Sequence, residues 1–185
     1  MSALLVLALL AHDMSKHLAD LEALGSSKDV VGAVDKLGAS LDSMDEKVRE
    51  ATVSALRELL ATRDFPRLLD DDFTPIKTRR NVLKALRYLK EPRYTPRVVK
   101  ALSDSEATLR AEAALTLSVF GADAAERELI AALSDREKDV RYYAADALGG
   151  LRTDAAKKAI SERLGVETDK TVIFSLQQAQ KRQRR

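Results

Sequence analysis

The chain has 185 residues, of which 45% are hydrophobic and 32% are charged, with no cysteine and two histidines. This composition is typical of one soluble domain, and it excludes disulfide bonds, thiolate metal sites and multi-histidine metal sites. The net charge is only +2, but basic residues are concentrated in residues 76–100 and in the last nine residues.

The first predicted element is a helix at the N-terminus. Residues 3–11 form an apolar run, but no Lys or Arg precedes it and no small-x-small cleavage site follows, so the run does not have the pattern of a signal peptide. It is also too short to span a bilayer. Apolar residues continue at helical spacing from Leu4 to Leu21, and Gly25 follows as an end signal. We therefore expect residues 1–25 to be an N-terminal capping helix.

Part of this helix is apolar outside the main stripe, at Leu5, Val6, Leu9 and Leu10. One interpretation is a capping helix that is buried on two sides. The other is an exposed apolar patch that binds a partner protein, a second copy of the chain or a membrane surface. End repeats normally present a polar outer face, so the second interpretation stays open.

The strongest signal in the sequence is an internal repeat. Residues 102–120 align with residues 133–151 at an offset of 31, so that Leu117 matches Leu148. The same phase extends back to Val48-Arg49 and forward to Val172, with slips of one residue. The period predicts helix pairs, each with a first helix that follows an Asp- or Ser-containing turn and then a second helix. Stacked pairs would bury the apolar stripes that neither helix buries alone.

The repeated pattern L-S-D-x-x-x-x-V/L-R-x-x-A-A-x-x-L resembles the HEAT repeat family, in particular the short HEAT-like repeats named after phycobilisome lyases. The resemblance implies an all-α, right-handed α-solenoid of about five helix pairs, with residues 1–185 in one domain. In such stacks the Asp of the turn and the Arg of the first helix form a ladder between repeats. The residues that match the ladder are Arg49, Arg79, Arg110, Arg141, Asp104 and Asp135, while Phe73 stands where a further Asp would be expected.

The basic segment, residues 77–100, predicts two charged stripes. Lys77, Arg80, Lys84 and Arg87 lie on one face of a first helix, and Arg93, Arg97 and Lys100 lie on one face of the following second helix. The resemblance implies that first helices line the convex side and second helices the concave side. The stripes are either solvated faces paired with acidic neighbours such as Glu126 and Glu128, or a site for an anionic partner. A basic C-terminal tail, residues 177–185, adds four cations.

No catalytic motif is present. The sequence has no Gly-rich phosphate loop, and Asp70–Asp72 are more typical of a solvated turn than of a metal site. HEAT-like hydroxylases carry His-Glu pairs and HEAT-like DNA glycosylases use Trp, and this sequence has neither. We therefore predict a cytoplasmic, non-enzymatic protein-binding scaffold or assembly factor without cofactor or metal. The alternatives are nucleic-acid binding through residues 77–100 and a lyase or chaperone-like subunit.

Overall fold

The computed structural model describes the backbone of residues 3–184 and the side chains of residues 13–184. Within this range the protein is an all-α solenoid of ten α-helices without strands, which confirms the predicted fold class. The helices are α1 (Ala3–Leu24), α2 (Val30–Ser40), α3 (Glu46–Thr62), α4 (Ile76–Leu89), α5 (Thr95–Ala101), α6 (Ala107–Val119), α7 (Glu126–Ala132), α8 (Lys138–Leu148), α9 (Asp154–Val166) and α10 (Lys170–Gln183). None of the described helices is both long enough and apolar enough to cross a membrane.

The chain forms two compact units, Met1–Arg67 and Leu68–Arg185. The prediction that all residues form a single domain therefore stays a prediction. In the first unit, α1 and α2 both pack on α3. Aspartates begin the second and third helices: the Asp29 carboxylate accepts the Gly32 N–H at 2.9 Å, and the Asp45 carboxylate accepts the Lys47 N–H at 2.8 Å. These bonds satisfy N–H groups that have no partner within the helix.

Helix α1 ends at Leu24, directly before the predicted end signal Gly25. The reason is different from the one that the sequence suggested. Gly25 does not have the positive φ angle that favours glycine after a helix. Instead, a Cβ atom at this position would lie 3.0 Å from the Ala55 carbonyl oxygen on α3. Glycine is needed here because the end of α1 approaches the backbone of α3 closely.

In the second unit, the first helices of the repeats pack side by side in one layer. Helix α6 lies between α4 and α8, and α8 also packs against α10. Each second helix packs mainly on the first helix that follows it, so that α5 lies on α6, α7 on α8 and α9 on α10. The repeated leucines Leu86, Leu117 and Leu148 are fully buried between the layers.

The two layers differ in how closely their helices approach. Hydroxyl groups bridge neighbouring first helices: Thr116 donates to the Leu83 carbonyl oxygen at 3.2 Å, and Ser175 donates to the Tyr142 carbonyl oxygen at 2.9 Å. The second helices α5 and α7 have only seven residues each, and Phe65–Leu69 is a 3-10 helix. The first helices therefore form the more closely packed layer of this unit, and the assignment of convex and concave sides that the resemblance implies stays a prediction.

The C-terminal residues are not a free tail. Residues 177–183 form the last two turns of α10 and pack on α8. The Gln183 side chain is buried and donates to the carbonyl oxygens of Leu148 and Leu151 at 3.1 and 3.0 Å, and Arg182 pairs with Asp146 at 2.8 Å. Residues 177–183 of the predicted basic tail therefore belong to the final helix, where their side chains complete the contact between α8 and α10.

Candidate interaction surface

The predicted ladder residues join consecutive repeats of the second unit. Arg79 pairs with Asp104 at 2.5 Å, and Arg110 binds Asp135 through two hydrogen bonds of 2.7 and 2.9 Å. The Arg110 guanidinium also donates to the carbonyl oxygens of Asp104 and Ser105 at 2.9 Å each, so it ties its own turn to the next one. Burial acts to raise the pKa of Asp135, but the contact with Arg110 holds this pKa below its ordinary value.

The ladder has a further acid that the sequence reasoning missed. Arg141 makes two hydrogen bonds to Glu167, of 2.8 and 3.1 Å, and Arg163 donates to the same carboxylate at 2.7 Å. Burial alone would raise the pKa of Glu167, but these guanidinium groups and two backbone N–H groups outweigh burial and lower it to about 2. Glu167 lies 32 residues after Asp135. This is the offset that relates Val172 to Val140, so the register could have identified it.

The ladder is modified at its N-terminal end. The Arg49 guanidinium donates to the Ser43 carbonyl oxygen at 2.7 Å, which ties it to its own turn. In the following turn Asp71, rather than residue 73, takes the local role of the repeated acid. Its carboxylate accepts the Phe73 N–H at 3.0 Å, just as Asp104 accepts the Glu106 N–H at 2.9 Å. This turn is two residues longer before its helix, which displaces Phe73 to an almost fully exposed position.

The first basic stripe lies on α4, in the layer of first helices. Lys77 and Arg80 are exposed, whereas Lys84 and Arg87 are half-buried. Arg87 forms an ion pair with Glu112 on the neighbouring α6, and it lies over the Tyr88 ring at 5.8 Å. The side chains of Lys77 and Arg80 make no hydrogen bond or ion pair with any part of the chain that the structure describes.

The second basic stripe lies at the start of α5 and along it, and acidic side chains compensate it. Arg97 pairs with Asp70, and the Lys100 ammonium lies 3.8 Å from the same carboxylate. Arg93 pairs with Glu91 at 3.2 Å. The partners expected from the sequence were Glu126 and Glu128, but these bind Thr153 and Arg127 instead. The structure therefore separates the two stripes: the first lies on the layer of first helices, and the second forms ion pairs at α5.

Equivalent positions of the first helices form one surface, which we name the first-helix face. Its residues, in register across α4, α6, α8 and α10, are Arg80, Ala111, Tyr142 and Phe174; Lys84, Leu115, Asp146 and Gln178; and Tyr88 and Val119. Large apolar side chains are exposed on it, with exposed fractions of 56% for Phe174, 44% for Val119 and 38% for Tyr88. Sequence reasoning missed Leu115, which lies 31 residues after Lys84, and Val119, which lies 31 residues after Tyr88.

Polar and aromatic groups lie between the apolar ones on this face. The rings of Tyr142 and Tyr143 meet edge to face, with centroids 5.2 Å apart. Burial raises the pKa of Tyr143, and the nearby carboxylates Glu112 and Asp139 raise it further. Aromatic rings among charged groups on a surface are typical of protein-binding sites, where Tyr combines apolar area with a hydrogen-bonding tip.

The predicted apolar patch of α1 has side chains that lie outside the described residues. Its residues, Leu5, Val6, Leu9 and Leu10, belong to the backbone-described part of α1. Binding or self-association through this helix therefore stays a prediction. The described half of α1 buries Leu21 in the first unit.

The match to a known family covers the C-terminal repeats. The sequence model of the family described as HEAT repeats matches residues 109–179, which include α6 to α10 almost completely. No curated protein matches the chain.

Solved structures share the architecture over most of the chain. The complex of CpcE and CpcF of phycocyanin lyase from Nostoc sp. PCC7120 is 22% identical, with a TM-score of 0.61 over 81% of this chain and 99% of that chain. Human deoxyhypusine hydroxylase in complex with glycerol is 22% identical, with a TM-score of 0.57 over 89% of this chain and 66% of that chain. A designed armadillo repeat protein in complex with the peptide (KR)4 is 16% identical, with a TM-score of 0.54 over 94% of each chain.

At these identities the likeness concerns the fold alone. Together with the family match over residues 109–179 and the repeated turns of the second unit, it confirms the predicted resemblance to HEAT-like repeat proteins.

Proposed function

We propose that the protein is a non-enzymatic scaffold or assembly factor of the cytoplasm that binds another protein through its first-helix face. The observation that supports this most is the exposure of Phe174, Val119 and Tyr88 on one layer of packed helices. Most other large apolar side chains of the second unit are buried, so this face costs solvation energy that a partner would recover. Two further exposed ones, Phe73 and Val166, lie in or beside turns.

The architecture suits this role. A solenoid presents equivalent side chains at regular intervals along an extended surface, which fits an extended partner segment. The designed armadillo repeat protein with a similar fold holds the peptide (KR)4. That protein gives a precedent for peptide binding by stacked helices, although its peptide is basic.

The pattern of ion pairs argues against nucleic acid as the partner. Arg87, Arg93, Arg97 and Lys100 already have carboxylate partners within the chain. A phosphate backbone would have to compete with these carboxylates, which weakens the counterion release that drives nucleic-acid binding. The structure describes all residues of the two basic stripes. Among them, only Lys77 and Arg80 are exposed and have no carboxylate partner.

A lyase or chaperone-like subunit is the other alternative, because a phycocyanin lyase complex shares the fold. A chaperone-like subunit would also bind protein through its surface, so this alternative differs from the scaffold in what happens to the partner. No group of three or more His, Cys, Asp or Glu side chains in the described range is arranged to hold a metal. We propose a non-enzymatic role because the large exposed side chains of the first-helix face are mainly apolar, as in a surface that binds protein.

A capture experiment tests the proposal. Tagged wild-type protein, a Phe174→Asp and Val119→Asp double variant, and Val166→Asp are each incubated with lysate of the source organism, with and without nuclease. Val166 is a matched control, because it is 69% exposed but ends α9, which is not part of the first-helix face. We expect mass spectrometry to find one protein enriched by wild type and control under both conditions and lost with the double variant.

Two results would contradict the proposal. Enrichment that does not change in the double variant would show that the first-helix face is not the binding site. Recovery that disappears with nuclease would favour the nucleic-acid alternative. A stoichiometric complex of the purified partner, observed by light scattering, separates stable scaffolding from transient catalysis.

A further inference from the structure

The first-helix face is not uniform in charge along the stack. At its α4 end, Lys77 and Arg80 are exposed cations. The equivalent positions on α6 are Thr108 and Ala111, which provide no acid to neutralise them. One helix further, the equivalent residues are an aspartate, Asp139, and the aromatic Tyr142. The same two register positions therefore change from cationic to uncharged and then to acidic and aromatic across three neighbouring helices.

The middle and the far end of the face have a different character. Leu115 and Val119 lie one helical turn apart on α6 and form an apolar strip next to the cations. On α8 the acidic side chains are Asp139, which is exposed, and Asp146, which pairs with Arg182. Phe174 on α10 closes the face with an exposed aromatic ring.

The spacing of the helices sets the length of a segment that touches all of these features. Packed helices lie about 10 Å apart, so α4 to α10 spans about 30 Å. An extended chain covers about 3.3 Å per residue, so about nine residues reach from one end to the other. Leu115 and Val119 lie one and two turns along α6 from Ala111, the residue in register with Arg80 and Phe174, so an extended segment that contacts the cations, the apolar strip and the Phe174 ring needs about 12 residues.

We infer that the partner presents an extended segment with acidic residues over Lys77 and Arg80, followed by apolar residues over Leu115, Val119 and Phe174. This inference rests on the proposed function and names the chemistry of its partner. Opposite charges on the two surfaces set the direction of the segment, because its acidic end would meet acidic side chains of α8 if the segment were reversed. The apolar strip supplies most of the buried area.

Two other occupants fit the face less well. A single-stranded nucleic acid carries a phosphate at every residue, so part of it would lie against the exposed carboxylate of Asp139. A uniformly basic peptide would place cations against Lys77 and Arg80. Only a segment with a charged half and an apolar half agrees with both ends of the surface.

Selection from a random peptide library tests the inference without knowledge of the natural partner. A displayed library of peptides about 12 residues long, which is long enough to span the face, is selected on purified full-length protein. We expect enriched sequences to contain Asp or Glu on one side of a cluster of apolar residues. Selection on the charge-swapped variant Lys77→Glu and Arg80→Glu should replace these acids by Lys or Arg at the same place.

The best wild-type peptide is then labelled, and its binding is measured by fluorescence polarisation. We expect the affinity of this peptide for the charge-swapped variant to be at least tenfold lower than for wild type. The reason is that the peptide loses two favourable charge contacts at the interface. The control is Lys157→Glu and Lys158→Glu, a swap of two exposed lysines on α9. It should leave the affinity within about twofold, a change of roughly 0.4 kcal/mol. Circular dichroism of all variants establishes that they are folded.

Several outcomes would overturn the inference. These are enriched peptides without acidic residues, no enrichment at all, or equal affinity for wild type and the charge-swapped variant. Tighter binding of a labelled single-stranded oligonucleotide than of the selected peptide, lost on charge swap, would assign the cations to nucleic acid. If the captured cellular partner depends on Phe174 and Val119 but not on Lys77 and Arg80, the scaffold proposal stands and this inference fails.

Discussion

Two adjacent arginines on α4 have opposite environments. Arg79 is buried, with 7% of its surface exposed, and it pairs with Asp104 of the following turn. Arg80 is exposed and has no partner among the described residues. One residue of helix rotation moves a guanidinium from the contact between repeats to the first-helix face.

This difference follows from the phase of the repeat. Arg79, Arg110 and Arg141 occupy the same position of successive repeats, and each binds an acid of the next turn. Arg80 has no basic counterpart at that position on α6 or α8, where an alanine and a tyrosine stand. A charge that repeats in phase with the core belongs to the stack, whereas one that occurs once is free to bind a partner.

The largest expected effect comes from breaking one ladder pair. Arg110→Ala removes two hydrogen bonds to Asp135 and two to backbone carbonyl oxygens, and it leaves the carboxylate largely buried. We expect the free energy of unfolding, measured by urea titration, to fall by about 3–5 kcal/mol. The control Arg127→Ala removes an arginine whose side chain is 93% exposed, and it should change stability by less than about 0.5 kcal/mol. Equal effects would contradict the structural role of the ladder.

The acid at the last ladder position predicts a dependence of stability on pH. Glu167 has a pKa of about 2 in the folded protein and about 4.5 when unfolded. Because the folded value is lower, the stabilisation is complete above about pH 5 and is lost as the pH falls from about 5 to 2. It amounts to at most about 3.5 kcal/mol, since one pKa unit corresponds to about 1.4 kcal/mol.

Urea titrations of wild type and Glu167→Gln between about pH 7 and about pH 3 test this point. The difference in unfolding free energy should be largest at neutral pH and should shrink as the solution becomes acidic. A difference that does not change with pH would mean that the carboxylate charge contributes nothing to the ladder. Asp154→Asn, at an exposed position on α9, provides the control.

A smaller effect is expected from the hydrogen bonds between first helices. Thr116→Val keeps the shape of a fully buried side chain but removes a hydroxyl that donates to the Leu83 carbonyl oxygen on α4 at 3.2 Å and to the Glu112 carbonyl oxygen within α6 at 2.8 Å. We expect a loss of about 1 kcal/mol in the urea titration, the usual contribution of one buried hydrogen bond. Thr62→Val, an exposed site whose hydroxyl bonds only within α3, should have less effect. The reverse order would mean that close packing of first helices does not depend on this contact.

The smallest effect is expected at the second basic stripe. Arg97 and Asp70 form an ion pair whose side chains are 31% and 39% exposed. Arg97→Gln should reduce stability by less than about 1 kcal/mol, and the effect should diminish with added salt because solvent and ions screen the pair. A loss as large as that of Arg110→Ala would place Arg97 in the ladder instead of on the surface.

The repeat phase predicted most of the fold from sequence. Leu117 and Leu148 were aligned by their offset and are both fully buried, and the turn acids Asp104 and Asp135 meet the arginines of the preceding first helices. Register in a stack is set by local sequence, so self-comparison identifies it. Glu167 could have been included by the same rule.

The candidate site was harder to predict because it depends on which layer packs more closely. How closely the helices of a layer pack depends on side-chain volumes at their contacts. At Gly149, for example, a Cβ atom would lie 2.8 Å from the Ala179 Cα atom. Spacing within a single helix does not show it. The ion pair of Arg97 with Asp70 joins residues 27 positions apart, so spacing provided no reason to choose this acid over those of α7.

Stability and binding measured in parallel on the two adjacent arginines decide whether repeat phase separates structural from functional cations. Arg79→Gln and Arg80→Gln are compared by urea titration and by binding of the selected acidic peptide. We expect Arg79→Gln to lower the unfolding free energy by about 3 kcal/mol or more, while its folded fraction binds the peptide normally. Arg80→Gln should keep its stability within about 0.5 kcal/mol and weaken binding severalfold. Unchanged binding with Arg80→Gln, or unchanged stability with Arg79→Gln, would contradict this separation.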